Sequence, residues 1–124
     1  MSKIYESGEN YLETILILKE RGKDVRSIDI VHEMELSKPS VSRAMSILKN
    51  GGFIEVDTDG YITLTEAGLE VAERIYERHR VLTAWLVGIG VNETVAAEDA
   101  CKIEHDISDE SFAKLKQQIE RSSE

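Results

Sequence analysis

The most constraining feature of this sequence is the segment LSKPSVSRAMSILKNGG, which spans Leu36 to Gly52. Ser37 is a natural N-cap, and Pro39 falls in the first helical turn, where its missing N–H costs nothing. An apolar stripe follows at helical spacing, and two glycines end the pattern. The stripe consists of Val41, Met45 and Leu48. The segment therefore predicts a sharply bounded helix.

Two further helices are predicted upstream of this segment. Residues 9–20 favour a helix that stops near Gly22; a strand is the competing interpretation of TILIL, but the flanking Glu and Lys residues favour helix. Ser27 is able to cap a short second helix. The inward positions are Leu12, Ile15, Leu16 and Leu18 in the first helix, and Ile28, Val31 and Met34 in the second.

Downstream of the glycines, FIEVDTDGYITLT contains two β-rich runs around Asp59-Gly60, a dipeptide that tolerates the positive φ angles of a tight hairpin. Helix, helix, turn, helix and hairpin is the order of a winged helix-turn-helix. The third helix is then the element that would enter a DNA groove. We therefore predict a DNA-binding domain over residues 1–64.

The charge balance argues against a nucleic-acid partner only until its distribution is considered. The chain has 124 residues and a net charge of −9, from 15 basic and 24 acidic side chains. From Leu36 to Ile54, however, there is no Asp or Glu, and the segment carries Lys38, Arg43 and Lys49. An acidic chain can therefore still present one positive face to phosphates.

Residues 65–124 predict an all-helical second domain. Thr65 caps a long helix that reaches Gly90, a fifth helix covers about 93–106, and Ser108 with Asp109 caps a sixth. The apolar positions of the fourth helix are Leu69, Ala72, Ile75, Leu82, Leu86 and Ile89, and those of the sixth are Phe112, Leu115 and Ile119. Trp85, Val87 and Ile89 add apolar surface that so short a unit could hardly cover, which predicts a homodimer.

A C-x-x-E-H motif formed by Cys101, Glu104 and His105 lies on the predicted fifth helix. Residues three and four apart share a helix face, and a thiolate, a carboxylate and an imidazole together suit a borderline transition metal. The alternative is a buried cysteine beside a surface Glu and His. His79, on the apolar stripe of the fourth helix, is either a hydrogen-bonded core residue or a further ligand.

The composition excludes several other classes of protein. No uncharged apolar run, neither Thr14 to Leu18 nor the longer one at residues 81–92, is long enough to cross a bilayer, and one cysteine excludes an internal disulfide. The N-terminus lacks an apolar stretch followed by a small-residue cleavage site. We therefore expect a cytoplasmic protein with no membrane partner.

Over nearly its full length the chain resembles the diphtheria-toxin-repressor family of metal-dependent transcriptional repressors, which includes manganese transport regulators. The matching segments are ENYLETI, SKPSVSRAM, RHRVL, IGV at residues 89–91 and ACKIEHDISDE at residues 100–110. The resemblance implies a mainly α protein: a winged helix-turn-helix DNA-binding domain (1–64), then an all-helical dimerisation and metal-binding domain (65–124). From the resemblance we expect the short form of the family, without a C-terminal SH3-like domain.

The resemblance also implies a ligand set and a mechanism. Metal would order the first helix against the dimerisation helices and favour binding of a homodimer to double-stranded operator DNA. The metal ligands carried over are Asn10, Glu13, His79, Cys101, Glu104 and His105. Cys101 matches the iron branch, whereas Glu13 matches the manganese branch. Asn10 departs from both branches, which have Met or Asp there, so the site is a hybrid.

The cognate ion is therefore expected to be Mn²⁺ or Fe²⁺, with Co²⁺, Ni²⁺ and Zn²⁺ as further options. The groove-facing candidates are Ser37, Lys38, Pro39, Ser40, Ser42 and Arg43. We expect no enzyme activity and no small-molecule substrate. Two alternatives remain at this point: a winged-helix regulator whose metal site has eroded and which responds to another ligand, and a small metalloenzyme.

Overall fold

The computed structural model describes residues 6–122 and confirms the predicted mainly α fold with a two-stranded wing. The chain divides into two compact units between Arg74 and Ile75. The elements are α1 (Glu6–Glu20), α2 (Ser27–Met34), α3 (Lys38–Asn50), β1 (Ile54–Val56), β2 (Ile62–Leu64), α4 (Glu66–Gly88), α5 (Glu93–Ile103) and α6 (Asp109–Ser122). The outer limits of the two predicted domains, residues 1 and 124, lie outside the described residues.

Helix α1 begins three residues earlier than predicted and buries the expected apolar stripe, at Leu12, Ile15, Leu16 and Leu18. The predicted stop is confirmed at Gly22, which has a φ of 85°. Its N–H donates to the Lys19 carbonyl oxygen at 2.9 Å. Glycine reaches this left-handed conformation without a Cβ clash, so it satisfies carbonyls that the helix end leaves open.

Two sequence predictions for α2 are wrong. The N-cap residue is Arg26 and not Ser27, and the Arg26 N–H donates to Asp29 Oδ2 at 2.9 Å. The α2 side chain that enters the core is Ile30, whereas Ile28 is 38% exposed. Over only eight residues, the spacing of three selected the neighbouring helical face, because so short a pattern does not define one face uniquely.

Helix α3 follows its sequence signals closely. Ser37 is the N-cap and accepts a hydrogen bond from the Ser40 N–H at 3.3 Å, with Pro39 in the first turn. The predicted stripe of Val41, Met45 and Leu48 is buried. The opposite side of α3 is therefore the side that remains available to a partner.

The wing is an antiparallel pair in which Ile54, Glu55 and Val56 face Leu64, Thr63 and Ile62. Its turn is less tight than Asp59-Gly60 suggested, since only Gly60 has a positive φ, 88°. Asp57 Oδ1 accepts hydrogen bonds from the N–H groups of Asp59 and Tyr61, each at 2.9 Å. Val25 forms an isolated bridge to Ile62, a third strand-like segment that the sequence did not indicate.

The start of α4 is fixed to the loop before β1 by two close contacts. Thr65 caps α4 as predicted: its Oγ1 accepts from the Gly68 N–H at 3.2 Å and donates to the Gly52 carbonyl oxygen at 2.6 Å. Gly68 lies so near the loop that a Cβ there would be 2.0 Å from the Phe53 carbonyl oxygen. The first turn of α4 can therefore pack only with glycine at this position.

In the second unit, α4 and α5 end earlier than predicted, at Gly88 and Ile103. Asn92 Oδ1 caps α5 by accepting from two N–H groups, and Ser108 Oγ caps α6 as predicted. The core cluster of this unit consists of Leu82, Ala100 and Phe112, with Val81, Trp85, Ile103, Ile107 and Leu115 packed against it. Within residues 6–122, no helix combines the length and apolar character needed to span a membrane.

Gly68→Ala tests the close approach at the start of α4. We expect it to lower the free energy of unfolding by about 1–3 kcal/mol, because the backbone must shift to relieve the overlap with Phe53. The control is Gly88→Ala, where a Cβ would meet nothing within 4 Å. Urea unfolding at equal protein concentration measures both variants, and equal midpoints would contradict this packing.

Candidate metal centre and nucleic-acid interface

The candidate metal centre is built on the C-terminal end of α5. The prediction that Cys101, Glu104 and His105 all lie on this helix needs correction, because α5 ends at Ile103. Glu104 is the C-cap residue, with φ −58° and ψ −24°. Since these angles are still helical, Cys101 and Glu104 keep the spacing of three that points both side chains the same way.

The structure brings four predicted ligands together within the second unit. One donor atom each of Cys101, Glu104 and His105 lies within 4.8 Å of the other two. His79, on α4, places Nδ1 3.0 Å from Glu104 Oε2, and His105 Nε2 lies 3.4 Å from Glu104 Oε1. The Glu104 carboxylate is thus the centre around which two imidazoles and a thiol gather.

Burial excludes the alternative of a cysteine with a surface Glu and His. Glu104 is 0% exposed and the His105 side chain is 2% exposed, while Cys101 and His79 are partly buried. A buried carboxylate requires a compensating partner. The burial of Glu104 therefore indicates that this cluster binds something and is not merely a solvated surface group.

The donor set fits a divalent transition metal. Glu104 Oε1 is a buried acceptor that has no hydrogen-bond partner of good geometry within the described part of the chain. A buried carboxylate oxygen left in this state is suited to an ion. Sulfur, imidazole nitrogen and carboxylate oxygen together favour iron, manganese, cobalt, nickel or zinc and disfavour calcium.

A buried arginine that the sequence analysis did not select supports the same turn. Arg78, on α4, is 6% exposed, and its Nη1 donates to the main-chain oxygens of Glu104 at 3.1 Å and Ile107 at 2.6 Å. Its Nη2 forms an ion pair with Asp109. A signal did exist in the sequence, since Arg78 falls between Ile75 and Leu82 on the inner helical stripe.

The two remaining predicted ligands lie on α1 in the first unit. Asn10 is half-buried and Glu13 is buried, at 8% exposure. Their spacing of three places both on one side of α1, and the Asn10 main-chain oxygen accepts from Thr14 Oγ1 at 2.9 Å. Their roles as metal ligands stay predictions.

The predicted groove-facing residues lie at the start of α3. Five are exposed and Ser40 is half-buried; the exposed five are Ser37, Lys38, Pro39, Ser42 and Arg43. The Ser37 hydroxyl donates to Ser40 Oγ at 2.8 Å, so these two side chains also serve the cap. The exposed side continues beyond the predicted set to Ser46 and to Ile47, which is 69% exposed.

The cations of α3 differ in ion pairing from three other cations of the first unit. Arg21, Lys23 and Arg74 are each paired with a carboxylate, at 3.0, 3.3 and 2.9 Å. The three α3 cations, Lys38, Arg43 and Lys49, form no ion pair within residues 6–122. Phosphate groups would therefore not have to displace an internal partner from them.

The wing has the opposite charge. It carries Glu55, Asp57 and Asp59, and the sequence has no basic residue between Lys49 and Arg74. The wing therefore adds no attraction for a polyanion, and the basic residues described in the first unit lie on its helices and in the loop between α1 and α2.

Comparison with known proteins gives matches along both halves of the chain. Residues 3–62 match the profile described as "iron dependent repressor, N-terminal DNA binding domain", and residues 65–124 match "iron dependent repressor, metal binding and dimerisation domain". An uncharacterized HTH-type transcriptional regulator of Methanocaldococcus jannaschii is 34% identical over 113 residues, which is 90% of each chain.

Better characterised relatives are longer. The diphtheria toxin repressor of Corynebacterium diphtheriae is 29% identical over 118 residues, covering 93% of this chain and 51% of that protein. The solved structure of the manganese regulator SloR is 26% identical with a TM-score of 0.82, covering 91% of this chain and 53% of that one. The chain thus spans about half the length of these two proteins.

The predicted family resemblance is confirmed by these matches, which together cover residues 3–62 and 65–124 and agree with the winged helix-turn-helix and the helical unit seen here. This chain belongs to the iron-dependent repressor family.

Proposed function

We propose that this protein is a metal-dependent transcriptional repressor that binds operator DNA as a homodimer when a divalent transition metal occupies the site at the end of α5. The observation that carries the proposal is the buried cluster of Cys101, Glu104, His105 and His79 in a chain that also has a winged helix-turn-helix. The domain division at residues 64 and 65 is part of this proposal.

Each side chain of the cluster has a separate part in holding the ion. Glu104 would supply the central carboxylate, and Cys101 the thiolate that favours iron-type metals over calcium. The hydrogen bond between His79 and Glu104 fixes the orientation of that ring, as partners of metal-binding imidazoles commonly do. Asn10 and Glu13 of α1 are the proposed additional donors.

The proposed response is electrostatic. A bound dication would supply the positive charge that offsets repulsion among the carboxylates and the thiolate. Without that charge, the carboxylates of Glu13 and Glu104, with the Cys101 thiolate if ionised, would repel one another and disfavour the arrangement in which all of them approach. Because the two arrangements bind metal unequally, their populations shift with metal, and the form competent to bind DNA gains.

The proposal also covers the ion, the partner and the cellular location of the protein. The cognate ion is Mn²⁺ or Fe²⁺, the partner is double-stranded DNA, and the protein acts in the cytoplasm. It catalyses no reaction and takes no small-molecule substrate. Hydrolysis of ester or phosphate substrates by the metal-loaded protein would instead support the metalloenzyme alternative.

Cobalt(II) absorption tests the metal site. Binding should produce a sulfur-to-cobalt charge-transfer band that Cys101→Ser abolishes, because serine supplies no thiolate. Glu104→Gln should lower cobalt affinity by at least about tenfold, since the site loses its central charged donor. The matched control is Glu98→Gln, an exposed glutamate of the same helix. A cobalt-independent spectrum in the parent protein would contradict the metal site.

The exposed side of α3 is the proposed DNA-reading surface. Ser42 and Arg43 can donate to base edges or phosphates, and Lys38 is placed for the phosphate backbone. Ile47 extends this surface by one turn and is suited to an apolar contact with a thymine methyl group. The acidic wing adds no attraction of its own for the phosphate backbone.

Arg43→Ala tests this surface. We expect metal-dependent DNA binding to weaken by about 1–3 kcal/mol, with dimerisation and metal uptake unchanged. Arg121→Ala, at an exposed position in the last turn of α6, makes the same change in net charge and is the control. The probe is a duplex selected from a randomised pool by the cobalt-loaded protein. Unchanged affinity for Arg43→Ala at moderate salt would remove α3 from this role.

The homodimer is proposed from apolar surface on the second unit. At the end of α4 and on α5, Val87, Ile89 and Val95 are 37%, 64% and 45% exposed, while Trp85 packs partly on the core cluster. These three side chains lie within nine residues of one another along the chain. A second copy of the same unit would cover them symmetrically.

Ile89→Glu tests the dimer. The dissociation constant should rise by about 10–100-fold, because an apolar side chain buried at the interface becomes charged. Ile47→Glu makes the same change at an exposed site on α3 and should leave dimerisation unaffected. Sedimentation equilibrium at micromolar concentration distinguishes the two. A parent protein that is monomeric with and without metal would contradict the proposal.

A further inference from the structure

Arg78 is a charged side chain in the interior of the second unit, and solubility does not explain it. It is 6% exposed, and its guanidinium carbon lies 5.4 Å from the centroid of the Phe112 ring. Burying an arginine is unfavourable unless hydrogen bonds and an opposite charge compensate for lost water. The compensation here comes from one short stretch of chain, the connection between α5 and α6.

That connection folds around the guanidinium. The last carbonyls of a helix have no partner within the helix, and Arg78 donates to one of them, that of the C-cap residue Glu104. It also donates to the main-chain oxygen of Ile107 in the connection that follows. A cation at a helix C-terminus also interacts favourably with the helix dipole. The ion pair with Asp109 ties the first residue of α6 to the same group. We call these three contacts the Arg78 clasp.

The clasp encloses the residues that carry the candidate ligands. Glu104 is held twice by consecutive residues of α4: its main-chain oxygen by Arg78, and its carboxylate by His79. Along the chain, His105 falls between Glu104 and Ile107, whose main-chain oxygens Arg78 binds. One guanidinium therefore helps to fix the turn after α5 against α4, and with it the spacing of three candidate ligands.

We propose that Arg78 is a positioning residue that holds His79, Glu104 and His105 in metal-binding register before the ion arrives. This inference rests on the proposed function. Arg78 has no ligand atom of its own, so it acts by reducing the rearrangement that binding would otherwise require. Supporting groups around metal ligands typically change affinity by about 10–100-fold when they are removed.

A purely structural role makes a different prediction. An arginine that only stabilises the second unit would lower its melting temperature when replaced, and would leave metal affinity unchanged at temperatures where the variant is folded. A positioning residue changes affinity in the folded protein. At saturating metal the ligands are all still present, so the sulfur-to-cobalt band should regain its parental intensity.

The experiment is a competition titration of the full-length protein with cobalt(II), read by the sulfur-to-cobalt band, well below the melting temperature of each variant. Arg78→Met keeps much of the apolar stem but no donors, and its cobalt affinity should fall by about 10–100-fold. Arg78→Lys keeps the charge without the planar fork and should lie between Arg78→Met and the parent.

Two other variants complete the series. Arg80→Met removes an exposed arginine two residues away, which stacks on Tyr76, and should leave cobalt affinity within about twofold of the parent. Asp109→Asn weakens only the exposed end of the clasp, since the Asp109 side chain is 84% exposed, and should lower affinity by about 2–5-fold. If Arg78→Met does not fold, Asp109→Asn and Arg78→Lys decide the matter.

Unchanged cobalt affinity in folded Arg78→Met, or an equal loss in Arg80→Met, would overturn the proposal. With Arg78→Met unfolded, parental affinity in both Asp109→Asn and Arg78→Lys would do the same. Failure of the proposed function is distinguishable, because the parent protein itself would then show no sulfur-to-cobalt band.

Discussion

The second unit is organised around one buried carboxylate, that of Glu104. A fully buried carboxylate is unfavourable by several kcal/mol unless positive charge or hydrogen-bond donors compensate for it. Here His79 approaches one oxygen at 3.0 Å and His105 approaches the other at 3.4 Å. The second contact lacks good hydrogen-bond geometry. An incompletely compensated carboxylate favours cation binding. The burial of Glu104 therefore destabilises the folded unit without a metal and strengthens its binding of a cation.

Small and apolar side chains form the core of the second unit, in which the Glu104 carboxylate is also buried. Ala96 and Ala100 are both fully buried on α5, where small side chains allow close contact between elements. Leu82 of α4 and Phe112 of α6 pack with Ala100 in the apolar core cluster of this unit. In such a low-dielectric environment, interactions between charges are stronger than at the surface. The apolar core therefore strengthens the electrostatic interaction between the polar cluster and a nearby charge.

The sequence predicted the elements well wherever local chemistry determined them. Ser37, Thr65, Ser108 and Gly22 act as helix caps or stops, and each acts through groups within a few residues of itself. The six proposed metal ligands came from spacing and family resemblance, and four of them meet in the second unit. The incorrect predictions arise where packing between elements, and not local chemistry, decides the structure. Ile30 replacing Ile28 in the core depends on which way a short helix rolls against its neighbours.

The burial of Glu104 and the clasp of Arg78 also could not be obtained from local pattern. Arg78 contacts residues 26 to 31 positions away, so no window of helical length contains both partners. A charged residue on an apolar stripe is the local trace of such a contact, and it indicates only that some partner exists. Identifying the partner requires the path of the chain after α5.

That path is set in turn by the end of α5 at Ile103, three residues earlier than periodicity suggested. The Glu104 carbonyl, at the C-cap of α5, and the Ile107 carbonyl beyond it both accept from Arg78, so this connection supplies the partners of the buried arginine. The helix end, the clasp and the ligand cluster therefore depend on one another, and a change in any one should be felt in the other two.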